Sequence, residues 1–164
     1  MDIVGSFLQS SSLGPILFLC FINDFPQCTT LMSYLFADDT TCLATGKDLA
    51  SLFNFVNVEL PKISKWYSII KMTINTSKTK YIIFRNKGRK LNLNGLELFY
   101  NLNEIGKPNL EENIFQLERV HLGNNLNENQ TYKLLGIHFD EYLSFENHID
   151  ILCSQLSVVC KPWA

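Results

Sequence analysis

One stripe constrains this chain more than any other feature. Leu49, Leu52, Phe53, Val56, Leu60, Ile63, Trp66, Tyr67 and Ile70 recur at intervals of three and four, which gathers them on one face of an α-helix. Thr45-Gly46-Lys47 turns the chain just before it and Asp48 supplies a cap. Pro61 removes one backbone donor and crowds the carbonyl of Asn57, so a kink or a division into two helices is expected there. The aromatic residues of the stripe read as core, not as a cofactor box.

Upstream, Gln9-Ser10-Ser11-Ser12-Leu13-Gly14-Pro15 is a cluster of turn and cap residues leading into Ile16-Leu17-Phe18-Leu19-Cys20-Phe21-Ile22, with Pro26 as the stop. That segment is apolar on nearly every face, so it reads as a mostly buried helix. The residues before the next motif are too few to cover it, and further upstream sequence is expected. Tyr34-Leu35-Phe36-Ala37-Asp38-Asp39-Thr40-Thr41-Cys42-Leu43 then reads as strand, tight turn, strand, with two carboxylates at the tip. Side chains alternate along a strand, so one of the pair faces a site while the other reaches from the turn. Mg²⁺ accepts one or two carboxylates plus substrate phosphates, which makes this tip a plausible half of a metal site for phosphoryl chemistry. Taken alone the stretch favours a solvated turn, since Asp is a common turn residue and two in a row are usually just solvated.

Downstream, Asn75-Thr76-Ser77-Lys78-Thr79-Lys80 is a polar turn feeding a short buried strand, Tyr81-Ile82-Ile83-Phe84. Lys78 suits proton donation to a leaving group or simple solvation. Alternation around Asn94-Gly95 predicts a β-hairpin over Leu91 to Leu98. From Phe99 to Gln130 the pattern loosens and reads as a surface insertion, mostly loop, with Ile114, Phe115, Leu117, Val120 and Leu122 marking a strand or short helix. Tyr132 to Phe139 resumes as a strand ending at Asp140-Glu141. Ser144 opens a final helix whose Phe145, Ile149, Leu152, Leu156 and Val159 form one face without an evident partner.

At 164 residues, with 18% charged residues and twelve Phe, the chain fits one globular domain. A net charge of −2 gives no global attraction to nucleic acid. Lys78, Lys80, Arg85, Lys87, Arg89 and Lys90 nevertheless follow one another without an intervening acid, as a local basic surface or a solvated hairpin. The five cysteines are odd in number, contain no Cys-x-x-Cys and follow no secretory leader, so they are read as reduced. His138, His148 and Cys153 match no common zinc spacing and read as packing. The longest apolar run, Ile16 to Ile22, is far too short to span a bilayer.

Taken in order, Gln9-Ser10-Ser11-Ser12-Leu13-Gly14-Pro15, Phe36-Ala37-Asp38-Asp39, Asn75-Thr76-Ser77-Lys78-Thr79 and Leu134-Leu135-Gly136-Ile137 resemble the later palm motifs of the reverse transcriptases of jockey-like non-LTR retrotransposons. The fingerprint of that family runs Gln-Gly-Ser-x-Leu-Gly-Pro, Phe-Ala-Asp-Asp, Asn-x-x-Lys-Thr and Leu-Gly. The resemblance implies an α+β fold, a partial polymerase palm with a ferredoxin-like antiparallel sheet and packed helices. The palm would occupy 1–143, with the insertion at 99–130, and residues 144–164 would begin the thumb. It implies an RNA-directed DNA polymerase, acting on an RNA template, a DNA primer and deoxynucleotides with two Mg²⁺ ions, in cytoplasm and nucleus. Asp38 and Asp39 would hold metal. Lys78 would act as general acid toward pyrophosphate, and Gln9, Ser11, Gly14 and Pro15 would contact template and incoming nucleotide. Leu135 and Gly136 would form the primer grip.

The chain departs from the family at Ser10, where the family has glycine, and at Leu8, where it usually has proline. The strand that supplies a third metal-binding aspartate is missing, and Asp2 lies too close to Gln9 to replace it. A fragment truncated upstream and ending early in the thumb is therefore expected to show no polymerisation alone. It is also expected to be poorly soluble, because the missing strand leaves an apolar sheet edge open. Two rival readings stand beside this one: a non-catalytic remnant that at most binds RNA or a partner protein, and an unrelated phosphotransferase built on the Asp pair.

Overall fold

A computed structural model of the chain describes residues 13–101, 114–120 and 131–159. Its class is mixed α+β, with three α-helices and eight short strands among the described residues. The strands pair two by two, three ladders antiparallel and one parallel. The chain divides into two compact units, Met1–Ile74 with Gly95–Gln116, and Asn75–Asn94 with Leu117–Ala164.

The first unit is built on the helix that the apolar stripe foretells. This helix, α2 (Leu49–Ile69), is a single element that continues through Pro61 instead of splitting there. Asp48 caps its start, accepting a hydrogen bond from the Ser51 N–H at 2.8 Å. Its end is a Schellman motif: the Met72 N–H bonds the Tyr67 carbonyl, the Lys71 N–H bonds the Ser68 carbonyl, and Lys71 sits at φ 57. The side chain of Asn57 donates to the Glu97 carbonyl and accepts from the Phe99 N–H, tying α2 to β4 (Phe99–Asn101). Strand β4 pairs with β5 (Ile114–Gln116). Phe53, Ile63 and Trp66 are buried with Leu98 and Tyr100, and Tyr100 is only 2% exposed. Part of the stretch read as a surface insertion thus supplies core: its apolar residues are few, but β4 lies against α2 and buries Tyr100.

Ahead of α2 come α1 (Leu13–Ile22), a single 3₁₀ turn over Phe25–Gln27, and a hairpin of β1 (Met32–Phe36) and β2 (Asp39–Leu43). Phe25 is 1% exposed and packs edge-on against Trp66, with ring centroids 5.1 Å apart. The expectation that α1 is mostly buried fails: Ile22 is buried, while Leu13, Ile16, Leu17, Leu19 and Phe21 face solvent. A ten-residue helix apolar all round needs covering on several sides. Here only its C-terminal end meets the core.

The second unit holds β3 (Lys80–Ile82) in parallel with β6 (Glu118–Val120), a hairpin of β7 (Tyr132–Leu134) and β8 (Ile137–Phe139), and α3 (Glu146–Val159). The run Tyr132 to Phe139, read as one strand, is folded back on itself at Leu135-Gly136. Both loop residues have positive φ, 48 and 87, as a type I′ turn requires. The hairpin foretold over Leu91 to Leu98 does not form. Gly95 does take the left-handed conformation, at φ 73, but the chain passes from one unit to the other between Asn94 and Gly95, so the flanking segments do not pair.

Between β8 and α3 the chain is held by one carboxylate. Buried Asp140 accepts from the N–H groups of Tyr142, Ser144 and Phe145 and from the Ser144 hydroxyl at 2.8 Å. These bonds hold Leu143 and Phe145 at φ 53 and 58, a left-handed backbone costing on the order of 1–2 kcal/mol per residue.

Candidate functional site

The Asp pair sits where the hairpin register puts it. Phe36 pairs with Asp39, leaving Ala37 and Asp38 as a two-residue loop, so Asp38 is a turn residue and Asp39 the first residue of β2. Cross-strand partners share a face, so Asp39 and Thr41 lie on the same side as Phe36 and Tyr34. Thr40 and Cys42 take the opposite side with Leu35 and Ser33, and there the Thr40 hydroxyl meets the Tyr67 hydroxyl of α2 at 3.2 Å. Asp39 therefore points away from the α2 side, and both carboxylates are exposed. Met32, Tyr34 and Phe36 are exposed on that same open face. Ala37, at φ 50, makes the reversal with a side chain in the left-handed region.

The hairpin is anchored from below by a residue that motif reading passed over. Glu59 of α2 is 2% exposed, and its carboxylate accepts from the Thr29 hydroxyl at 2.8 Å and the Thr30 N–H at 2.7 Å, just before β1 begins. Lys62 completes the arrangement from the next turn of the helix. Burial pushes this carboxyl up, but the hydrogen bonds from Lys62, Thr30 and Thr29 outweigh it and bring it down to about 2. The signal was present in the sequence: Glu59 falls three residues after Val56 and four before Ile63, inside the buried stripe. An acid at such a position must have partners.

Burial disfavours the thiolate at the two cysteines near the hairpin. Burial, then the neighbouring Cys42 and Asp24, push the Cys28 thiol up to about 11, and burial also raises that of Cys42 against a hydrogen bond from Ser33. Cys20, Cys28, Cys42 and Cys153 are all free.

Lys78 and the pair Leu135-Gly136 belong to the second unit. The Asn75 side chain accepts from the Ser77 hydroxyl at 2.6 Å, and its carbonyl accepts from the Lys78 and Thr79 N–H groups, so the Asn75 to Thr79 turn is locally built. Lys78 is exposed on it. Tyr132, at the start of β7, reaches the Lys78 carbonyl at 3.5 Å, which links this turn to the hairpin whose tip is Leu135-Gly136. Gly14 and Pro15 lie in the first turn of α1, while Gln9 and Ser11 lie outside the described residues.

Much of the basic run is spent inside the second unit. Lys80 pairs with Glu118 at 2.8 Å and Lys87 with Glu146 at 3.5 Å. Arg85 grips Glu141 with two nitrogens, at 2.9 and 3.1 Å, bonds the Tyr142 hydroxyl and lies over the Tyr142 ring. Arg119 adds a second guanidinium to the same carboxylate at 3.1 Å. The acids that pair with this run come from distant parts of the sequence, so counting neighbours does not reveal them.

As for metal, the Asp pair offers what one Mg²⁺ takes from protein, with phosphates and water filling the remaining positions. Among the described residues no group of three or more His, Cys, Asp or Glu is assembled. Also among the described residues, no helix is long and apolar enough to cross a membrane. Compared with known proteins, the chain matches no family model, no curated protein and no solved structure.

Proposed function

We propose that this chain is part of an RNA-directed DNA polymerase of a mobile element, carrying the later half of a palm and the start of a thumb, and that it is inactive by itself. The ordered series of four motifs carries the reading, with Asp38-Asp39 as its centre. Support comes from the placement of the two carboxylates at an open hairpin tip, one on the strand and one in the turn, with no side chain hydrogen-bonded across them among the described residues. A divalent ion held there would supply neutralisation of the charge that develops on transferred phosphates. Asp38 and Asp39 would hold and orient it, and Tyr67 steadies the strand behind them through Thr40; the resemblance, not the geometry, is what assigns proton donation to Lys78. Leu135-Gly136 is the tip that meets the primer strand.

The test is whether an open frame continues 5′ of the Met1 codon and encodes Phe-x-x-Asp on an apolar strand. The longer product should extend an RNA-templated primer with Mg²⁺, and Asp38→Ala or Asp39→Ala should abolish extension. Stops or frameshifts upstream, or a longer product without extension, overturn the polymerase reading. A non-catalytic remnant is the second reading, favoured by Ser10 where the family has glycine. It requires salt-sensitive binding of primer-template that Lys87→Glu with Arg89→Glu removes.

A further inference from the structure

We propose that Asn94 is a site of spontaneous covalent modification, at which its side chain closes on the Gly95 amide nitrogen, loses ammonia and takes up water to leave aspartate or isoaspartate. The reaction needs an asparagine followed by a residue that leaves its backbone nitrogen uncovered. Asn94 is the one asparagine of the chain with glycine after it. Gly95 carries no Cβ to shield that nitrogen, and the side on which a Cβ would stand is empty to 4 Å. Its φ of 73 is a backbone conformation that other residues rarely adopt, so the turn itself favours a glycine there. Both residues are exposed. Among the described residues the pair is held by a single hydrogen bond, from the Asn94 N–H to the Asn92 side chain at 3.2 Å. That bond leaves the two reacting groups, the Asn94 carboxamide and the Gly95 N–H, in water.

Other asparagines lack these conditions. Asn57 lies inside α2 ahead of β-branched Val58, and its carboxamide is engaged by the Glu97 carbonyl and the Phe99 N–H. The Asn75 side chain accepts from the Ser77 hydroxyl at 2.6 Å, and Thr76 follows it. Asn92 precedes Leu93 and accepts the Asn94 N–H. Asn147 lies in α3, with its amide on the Thr131 hydroxyl. At Asn94 hydroxide removes the Gly95 amide proton and the nitrogen attacks Asn94 Cγ. The N–Cγ bond forms, the Cγ–Nδ2 bond breaks, and Nδ2 leaves as ammonia with a proton from water. Water then opens the cyclic imide at either carbonyl. Opening at Cγ gives aspartate, and opening at the backbone carbonyl carbon gives isoaspartate, whose main chain is longer by a methylene. Either product places a carboxylate a few residues after Arg89 and Lys90, at the end of the basic run.

Incubation of the full chain at about pH 8, followed by proteolysis and mass spectrometry, tests this. The fragment holding Asn94 should gain about 1 Da, the difference between water taken up and ammonia lost. Fragmentation should place the gain at Asn94 and not at Asn92, and an isoaspartate-specific carboxyl methyltransferase should label the product. The rate should rise with pH, because the attacking group is the deprotonated amide. No hydrogen bond of the two reacting groups has to break first, so the folded chain should react within about tenfold of the rate in urea. Asn94→Gln, whose longer side chain closes a larger ring slowly, should remove the gain. A folded chain slower than its urea-unfolded form by more than about tenfold, or a gain that appears first at another asparagine, overturns the proposal.

Discussion

Glu59→Gln isolates what holds the Asp38-Asp39 hairpin on its helix. The substitution keeps the shape of the side chain and removes its charge. With the amide oxygen turned toward Thr29 and Thr30, both of those bonds survive as neutral ones, and the amide nitrogen is left against the Lys62 ammonium. Lys62 is about half exposed, with 48% of its side chain accessible, and turns to water at little cost. The loss is then the difference between charged and neutral hydrogen bonds at a buried acceptor, about 2 kcal/mol at neutral pH. Its pH dependence has a definite sign. The carboxyl is lowered from 4.5 to about 2 in the folded chain, so the unfolded chain binds the proton first as pH falls. The contribution is complete above the unfolded value and is lost as pH falls through the folded one, between 4.5 and about 2. Denaturant unfolding should be followed by the fluorescence of Trp66, which sits on the same helix, with Trp163→Phe in both proteins to remove the second tryptophan. The two proteins should differ by about 2 kcal/mol near neutrality and converge toward the acid end of that window. Curves that stay parallel throughout, or a neutral-pH difference under about 0.5 kcal/mol, refute the assignment of the anchor to the Glu59 charge.

Asp38→Asn and Asp39→Asn, at exposed positions, should change stability by less than about 0.5 kcal/mol in thermal unfolding while abolishing primer extension in the longer product. Asp140→Ala should cost about 2–4 kcal/mol, because one buried carboxylate satisfies three backbone N–H groups and a hydroxyl, and the loss should appear as exchange at the start of α3. Arg85→Lys should cost about 1.5–3 kcal/mol by chemical denaturation, since an ammonium cannot grip Glu141 twice and also reach Tyr142 and the Arg89 carbonyl. Ala37→Gly and Leu135→Asn should each raise stability by about 0.5–1 kcal/mol, measured by the same denaturation, because each relieves a left-handed backbone in a two-residue loop.

What was legible in the sequence is what one segment decides for itself. The α2 stripe, the Asp48 cap and the Asp-Asp hairpin each follow from residues within a few positions of one another. What was hidden depends on partners far along the chain. Asn94-Gly95 carries the strongest local hairpin signal and makes its turn, yet its two arms belong to different units. The basic run looked like a charged surface because Glu118, Glu141 and Glu146, which pair with Lys80, Arg85 and Lys87, lie tens of residues away. The apolar character of α1 was plain, but burial is a property of what surrounds a helix, and its own sequence does not supply that.

The left-handed residues separate structural strain from strain of another kind. Of the five non-glycine residues at positive φ among the described residues, three have a local reason to be there. Lys71 closes a Schellman motif, and Leu143 and Phe145 lie in the loop tied down by Asp140. The other two are Ala37 and Leu135, and they occupy the corresponding first loop position in the two tight hairpins. Glycine or asparagine fits that position better for stability alone. A strained residue persists where something other than folding keeps it, and in many proteins that something is contact with a ligand. Both positions fall within the motifs that resemble polymerase palm sequences, Phe36-Ala37-Asp38-Asp39 and Leu134-Leu135-Gly136-Ile137. The relieved variants therefore separate the two origins: in the longer product, strain kept for substrate contact predicts that Ala37→Gly and Leu135→Asn gain stability and lose primer extension together. Strain without such a role predicts the gain alone.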